Sequence, residues 1–216
     1  WNGATWTQRC VDAACSANRP SPRTAAGLAY DSYRDRLVLV GGLGAGNTAD
    51  DTWEWDGAGW TQKCGGALAS CGFAPMHEIF GGAVYDSLRK RTAFLITDAT
   101  SGGAPSRLYE YDGVGWTLGS GNATPPFPGG SYGAAMANVY DPLRRVLVSL
   151  GHPSEFDFRI WEWNGACWSN TSPGSDSHGA RGQATAWDPT NSRIVRMGGI
   201  ENGVTYHNVV WARSSL

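Results

Sequence analysis

The side chains that could do chemistry in this sequence are polar residues that occur once, not in every copy of a repeat. They are Arg23, His77, Glu78, His152, Glu155, Asp157, Arg159, Arg181, Glu201, Tyr206 and His207. A surface with acidic side chains, basic side chains and several imidazoles can bind a glycan, a peptide or a metal ion. Exposed loops also collect such residues without any function. The residue types therefore define a candidate ligand-binding surface and leave its ligand open.

An internal repeat determines where these residues lie. The phrase "YDSYRDRLVLVGG" is followed by three similar phrases, and the four copies start at Tyr30, Tyr85, Tyr140 and Trp187. Downstream of each phrase comes an aromatic segment: "DTWEWDGAGW", "RLYEYDGVGW", "RIWEWNGACW" and the shorter "NVVWARSSL". A fixed period with variable segments between its copies is typical of repeat architectures. The candidate residues belong to the variable segments.

Each copy contains the pattern of four short strands. In the first copy these are "AGLAY", "RLVLVGG", "DTWEW" and a short strand around "WTQ", with a tight "DGAG" turn before the last. Four antiparallel strands in a period near 50 residues predict one blade of a β-propeller. The Gly-Gly after an apolar strand, the Tyr-Asp before a basic turn and the spaced aromatic residues resemble kelch-type repeats. The resemblance covers nearly the whole chain and implies a fold that serves both enzymes and binding proteins.

We therefore predict an all-β fold, a β-propeller of four kelch-like four-stranded blades in a single domain over residues 1–216. The repeat units cover about 9–62, 63–118, 119–170, and 171–216 together with 1–8. The opening "WNGATWTQRC" matches "WDGAGWTQKC" at seven of ten positions, so residues 1–8 are predicted to close the last blade as its fourth strand. Closure removes exposed sheet edges. Without it, the same strand could join a neighbouring molecule and produce a chain of subunits.

Strand direction divides the loops between two sides of the propeller. Because the strands alternate, the first-to-second and third-to-fourth turns share one side, which we call the short-turn side. The remaining loops share the other, long-loop side, and are 43–50, 98–106, 152–159 and 200–207 within blades and 9–22, 63–78, 118–132 and 170–181 between blades. Long loops on a rigid scaffold are where binding usually occurs. The kelch resemblance implies the same side for a partner or substrate.

The five cysteines indicate the compartment of the protein. Cys10 with Cys15 and Cys64 with Cys71 occupy equivalent inter-blade loops, and two local disulfides are predicted. Disulfides imply a secreted, periplasmic or cell-surface protein. A zinc site of four cysteines is the alternative, but the intervals lack the usual C-x2-C form. Cys167 lies in a turn on the opposite side, where it is either a half-buried small residue or a free thiol open to intermolecular bridging.

Residues that recur in every copy are assigned to structure. The aromatic residues of the third and fourth strands are predicted to pack in the core and not to stack on sugars; they are Trp53, Tyr109, Trp161, Trp55, Tyr111, Trp163, Trp6, Trp60, Trp116 and Trp168. The recurrent Glu54, Glu110 and Glu162 are predicted to be solvated or to pair with turns. Neither group is assigned to catalysis.

Composition and motifs limit the classes of function that the sequence allows. Seventeen basic against nineteen acidic residues argue against a nucleic-acid binder, and no apolar run is long enough to span a membrane. We predict a secreted, non-catalytic recognition or assembly module that binds a protein or glycan through the long-loop side, without a metal or cofactor. One alternative is a secreted carbohydrate-active enzyme, a glycosidase or an oxidase, at the propeller mouth. The other is a filament subunit that exchanges terminal strands.

Overall fold

The structure is a computed structural model. It describes residues 2–10, 15, 17–44, 49–66, 70–72, 82–96, 107–119, 137–154, 157–172, 182–201, 205–206, 208 and 210–214. For residues 152–154, 157–158, 200–201 and 205–206 it describes the backbone only.

The described residues form a four-bladed β-propeller, which confirms the predicted fold class. Blade 1 consists of β1 (Gly27–Asp31), β2 (Arg36–Val40), β3 (Thr52–Trp55) and β4 (Trp60–Cys64). Blade 2 consists of β5 (Ala83–Asp86), β6 (Arg91–Ile96), β7 (Arg107–Tyr111) and β8 (Trp116–Leu118). Blade 3 consists of β9 (Ala137–Asp141), β10 (Val146–Ser154), β11 (Asp157–Trp163) and β12 (Trp168–Asn170). Blade 4 consists of β13 (Ala184–Asp188), β14 (Arg193–Met197) and β17 (Val210–Ser214).

A small hairpin precedes the last strand of blade 4. It pairs β15 (Ile200–Glu201) with β16 (Thr205–Tyr206). All strand pairs within the blades are antiparallel and follow chain order, so each blade begins at its inner strand. The inner strands β1, β5, β9 and β13 contact one another in that order.

The core lies between consecutive blades. Side chains alternate along each strand, so one face of a blade packs on the next blade along the chain and the other packs on the preceding blade. We call these the front face and the back face. Val38 and Val40 on the front of blade 1 pack with Phe94, Tyr111 and Trp116 on the back of blade 2.

The other two junctions repeat this arrangement. Ala93, Leu95 and Leu108 of blade 2 pack with Trp163 and Trp168 of blade 3. Between blades 3 and 4, the cluster contains Val148, Leu150, Ile160, Ile194 and Trp187. The third- and fourth-strand aromatic residues of blades 2 and 3 therefore belong to the core, as predicted.

The predicted closing strand does not form, and that part of the prediction is wrong for the residues described. Residues 2–10 contain no strand, the sheet of blade 4 has three strands, and Trp6 is 83% exposed whereas Trp116 is 6% exposed. A fourth-strand Trp packs on the last aromatic residue of the third strand, as in Tyr111–Trp116 with ring centroids 5.0 Å apart. In blade 4 the strand register puts Arg213 at the position of Tyr111. The aromatic partner that a closing Trp needs is missing there.

Candidate functional site

A charged cluster occupies the short-turn side of each blade, and its first element is the turn between the first two strands. Asp31 Oδ1 accepts hydrogen bonds from the backbone N–H groups of Tyr33 and Arg34, at 3.0 and 3.1 Å. Arg34 Nε donates to Asp31 Oδ2 at 2.7 Å. Asp86 and Asp141 accept the equivalent backbone hydrogen bonds in blades 2 and 3. The repeated Asp therefore fixes the turn and orients its Arg.

That Arg then pairs with the recurrent Glu of the third strand. Arg34 Nη1 donates to Glu54 Oε1 at 2.5 Å, and Arg89 pairs with Glu110 in the same way. Glu54 and Glu162 are 7% and 5% exposed. The prediction of turn pairing is confirmed, whereas the alternative that these carboxylates are solvated is wrong. A buried carboxylate already paired with Arg serves the scaffold.

The same clusters link neighbouring blades. The Tyr111 hydroxyl donates to Glu54 Oε1 at 3.1 Å, and Arg213 Nη2 lies 3.1 Å from Glu162 Oε1. Burial, followed by the nearby Asp31 carboxylate, raises the pKa of Tyr85 to about 12. This phenol therefore stays neutral at physiological pH. The contacts on the short-turn side join the blades to one another.

Gly113 offers a test of this junction with a matched control. Its φ is +98°, and an added Cβ would lie 2.6 Å from Arg34 Cζ of blade 1. Gly57 is the equivalent residue of blade 1, with φ +95° and nothing within 4 Å of a Cβ. We expect Gly113→Ala to lower the free energy of unfolding by about 1–2 kcal/mol more than Gly57→Ala, because both changes strain the backbone but only the first displaces Arg34. Urea unfolding measures the difference, and equal losses would contradict this packing.

Arg23 is the predicted site residue on the long-loop side whose contacts are described in full. Its guanidinium donates to Asp51 Oδ1 at 2.5 Å and Oδ2 at 3.0 Å, to the Gly41 carbonyl, and to the carbonyl and hydroxyl of Ser21. Trp53 Nε1 also donates to Asp51 Oδ2, at 2.7 Å. The Arg23 side chain is 5% exposed, and its donors are used within blade 1. The structure gives Arg23 the role of a loop anchor.

Acid should weaken this anchor. Burial raises the pKa of the Asp51 carboxyl, but the hydrogen bonds from Arg23 and Trp53 outweigh burial and hold the pKa below its ordinary value. A lowered pKa in the folded state adds stability above the ordinary carboxyl pKa of about 3.9, and this stability is lost as the pH falls through the folded value. We expect the free energy of unfolding to decrease as the pH drops below about 4. In Asp51→Asn this decrease should be smaller. An unchanged pH slope in urea titrations of Asp51→Asn would contradict the assignment.

The other predicted site residues divide into two groups. Backbone positions are described for His152, Asp157, Arg159, Glu201 and Tyr206. The first three lie in β10 and β11, which extend beyond the pairing with β9 and shift register between Gly151 and Ser154. The last two lie in the hairpin of β15 and β16. Predictions for His77, Glu78, Glu155, Arg181 and His207 fall outside the described residues.

Both predicted disulfides form, Cys10–Cys15 and Cys64–Cys71. Cys64 and Cys71 belong to the core between blades 1 and 2, which the sequence did not indicate. Cys167 is a free, exposed thiol in the turn between β11 and β12. The disulfides are compatible with an extracellular location, and none of the helices in the described part is long and apolar enough to cross a membrane.

A cavity between blades 3 and 4 was not predicted from the sequence. It has a volume of about 370 Å³ and is lined by Val148, Leu150, Ile160, Thr171, Ile194, Arg196, Trp211, Ala212 and Arg213. At the two preceding junctions the Tyr111–Trp116 and Trp163–Trp168 pairs belong to the packed core. The available signal in the sequence was the missing second aromatic residue in "NVVWARSSL".

Comparisons with known proteins agree with the architecture. No model of a protein family matches the sequence, and no curated protein matches it. The solved structure of YjhT is similar to this chain, with a TM-score of 0.56 and 14% sequence identity. The match covers 82% of this chain and 59% of YjhT, so this chain spans less than two thirds of that protein. At this level of identity the similarity supports the β-propeller fold alone.

Proposed function

We propose that this protein is a secreted, kelch-like recognition module that binds a protein or glycan partner through its long-loop side without catalysing a reaction. The observation that carries the proposal is the difference between the two sides of the propeller. On the short-turn side, Asp, Arg and Glu recur in phase and bond to one another. On the long-loop side, polar residues do not recur, so the scaffold does not require them in every blade.

Two backbone features support the long-loop side as the binding surface. The hairpin of β10 and β11 continues past the inner strand of its blade, and β15 with β16 adds a second short hairpin on that side. Paired strands hold loop residues in position, which lowers the entropy lost on binding. These hairpins carry His152, Asp157, Glu201 and Tyr206.

Asp31 and Asp51, two of the described carboxylates, lack the raised pKa that the acid of a glycosidase needs. A glycosidase needs two carboxyl groups at a fixed separation, one of them an acid with a raised pKa. Asp31 and Asp51 have pKa values below the ordinary range, because hydrogen bonds and Arg charges outweigh their burial. Their charges stabilise the scaffold.

Secretion is supported by the two disulfides. Both close short loops, and Cys64–Cys71 packs against the core between blades 1 and 2. Such bonds persist in oxidising compartments. We therefore expect the protein to act outside the cytoplasm.

A glycan array and a peptide array, probed with the oxidised full chain, test the proposal. We expect a hit on one of them, and the affinity for that hit should fall at least about tenfold in Tyr206→Ala or Glu155→Ala. Val114→Ala is the control, since Val114 is 86% exposed in a short turn of the opposite side. Equal effects of the control and the loop variants would contradict the proposal. Turnover of a bound glycan would instead support the enzyme alternative.

A further inference from the structure

The front face of blade 4 lacks the cover that the other front faces have. Two positions show the contrast, one in the second strand and one in the third. In blades 1 to 3 the second-strand position is Val40, Leu95 or Leu150, at most 5% exposed, and in blade 4 it is Met197, at 53%. The third-strand position is Thr52, Leu108 or Ile160, at most 6% exposed, and in blade 4 it is Val210, at 63%.

The back face of blade 1 is exposed along its inner strand β1, whereas Trp53 in β3 on the same face is 7% exposed. Leu28 is 52% exposed, whereas Ala83 at the equivalent position of blade 2 is 8% exposed. Tyr30 is 52% exposed, whereas Tyr85 and Trp187 at equivalent positions pack against the preceding blades. The turn at Gly57 also has open space where the turn at Gly113 meets Arg34. One chain thus presents two different apolar faces.

These two faces are the halves of a junction that the molecule already makes three times. In each internal junction, the front face of one blade packs on the back face of the next. We propose that the front face of blade 4 packs on the back face of blade 1 in a second copy of this chain. The contact is head-to-tail, so each copy uses a different face and keeps its other face for a further copy. Removal of apolar surface from water drives the association.

The second copy is the occupant favoured by the residue pattern. Position by position, the exposed side chains keep the apolar character of their packed equivalents: Met197 for the buried Val40, Val210 for the buried Leu108, and Tyr30 for the partly buried Tyr85. Surface residues of a solvated face do not require that character. This inference concerns the flat faces of the end blades and is independent of the proposed binding at the long-loop side.

Two complementary variants test a head-to-tail contact. Met197→Glu places a charge on the front face of blade 4, and Leu28→Glu places one on the back face of blade 1. Both side chains are about half exposed, so the fold should tolerate the change, which circular dichroism checks. All chains carry Cys167→Ala to exclude disulfide-linked dimers. Val114→Glu, in an exposed turn, is the control.

Sedimentation velocity over a concentration series gives the result. We expect the parent chain and Val114→Glu to exceed the 23.0 kDa chain mass as concentration rises, and each face variant alone to stay at that mass. An equimolar mixture of the two variants should form a dimer, because each retains the face that the other has lost. A parent chain that stays at 23.0 kDa throughout, or a mixture that stays monomeric, would overturn the proposal.

Discussion

Leu108→Ala is expected to lower the free energy of unfolding by about 3 kcal/mol, within the range found for buried Leu→Ala changes. Leu108 is fully buried on the front of blade 2, against blade 3. Ile160 and Val210 occupy the same position in blades 3 and 4. Ile160 lines the cavity between those blades, and Val210 is 63% exposed.

Alanine substitutions at the three equivalent positions should therefore lower the free energy of unfolding by successively smaller amounts. Ile160→Ala should cost about 2 kcal/mol, because fewer packed atoms surround Ile160, and Val210→Ala should cost less than about 0.5 kcal/mol. Urea unfolding at low protein concentration measures all three on one scale, and its slope checks that the unfolded states are comparable. A Val210→Ala loss as large as that of Leu108→Ala would mean that the front of blade 4 is covered within one chain.

Glu54→Ala is expected to be the second most damaging change, lowering the free energy of unfolding by about 2–3 kcal/mol. It removes the acceptor for Arg34 Nη1 and for the Tyr111 hydroxyl, both of which lie at the junction of blades 1 and 2. Arg34 is 24% exposed, so water replaces part of the lost interaction and keeps the cost below that of a fully buried pair. Glu54→Gln should cost less, because its amide oxygen can still accept one hydrogen bond.

An exposed ion pair provides the control for Glu54. Arg91 Nη1 lies 3.2 Å from Asp112 Oδ2, and both side chains are about 40% exposed. Removing that pair with Arg91→Ala should cost at most about 0.5 kcal/mol. Thermal and urea unfolding of both variants measure the contrast. Similar losses in the two variants would show that the buried cluster does not join the blades.

The repeat made most of the fold predictable. Asp31, Asp86 and Asp141 recur before a basic turn, and the same hydrogen bonds form at each. Strand order and core aromatic residues follow from the same repetition, because equal residues at equal spacing build equal blades. The cysteine pairs were also predictable from the sequence, because each pair lies within one short loop.

Contacts between different parts of the chain were not predictable in this way. Trp6 and Trp60 lie in nearly identical sequences, yet only Trp60 lies in a strand, because a fourth strand needs an aromatic partner on its third strand. Arg213 stands in place of that partner beside a cavity, for which the missing aromatic residue of the last copy was the available signal. Arg23, a predicted ligand-binding residue, forms an ion pair with Asp51, 28 residues away, and no local pattern indicated this contact. The proposed binding residues do not recur, so the repeat carries no information about a partner.

Cysteine accessibility tests most directly whether the front face of blade 4 is open. In a Cys167→Ala background, Val210→Cys and Ile160→Cys are compared for their rate of reaction with a maleimide at low protein concentration and without reductant. We expect the cysteine at position 210 to react as an exposed thiol does and the cysteine at position 160 to be protected, in line with exposures of 63% and 6%. Equal protection at both positions would contradict the open face and indicate a closed propeller.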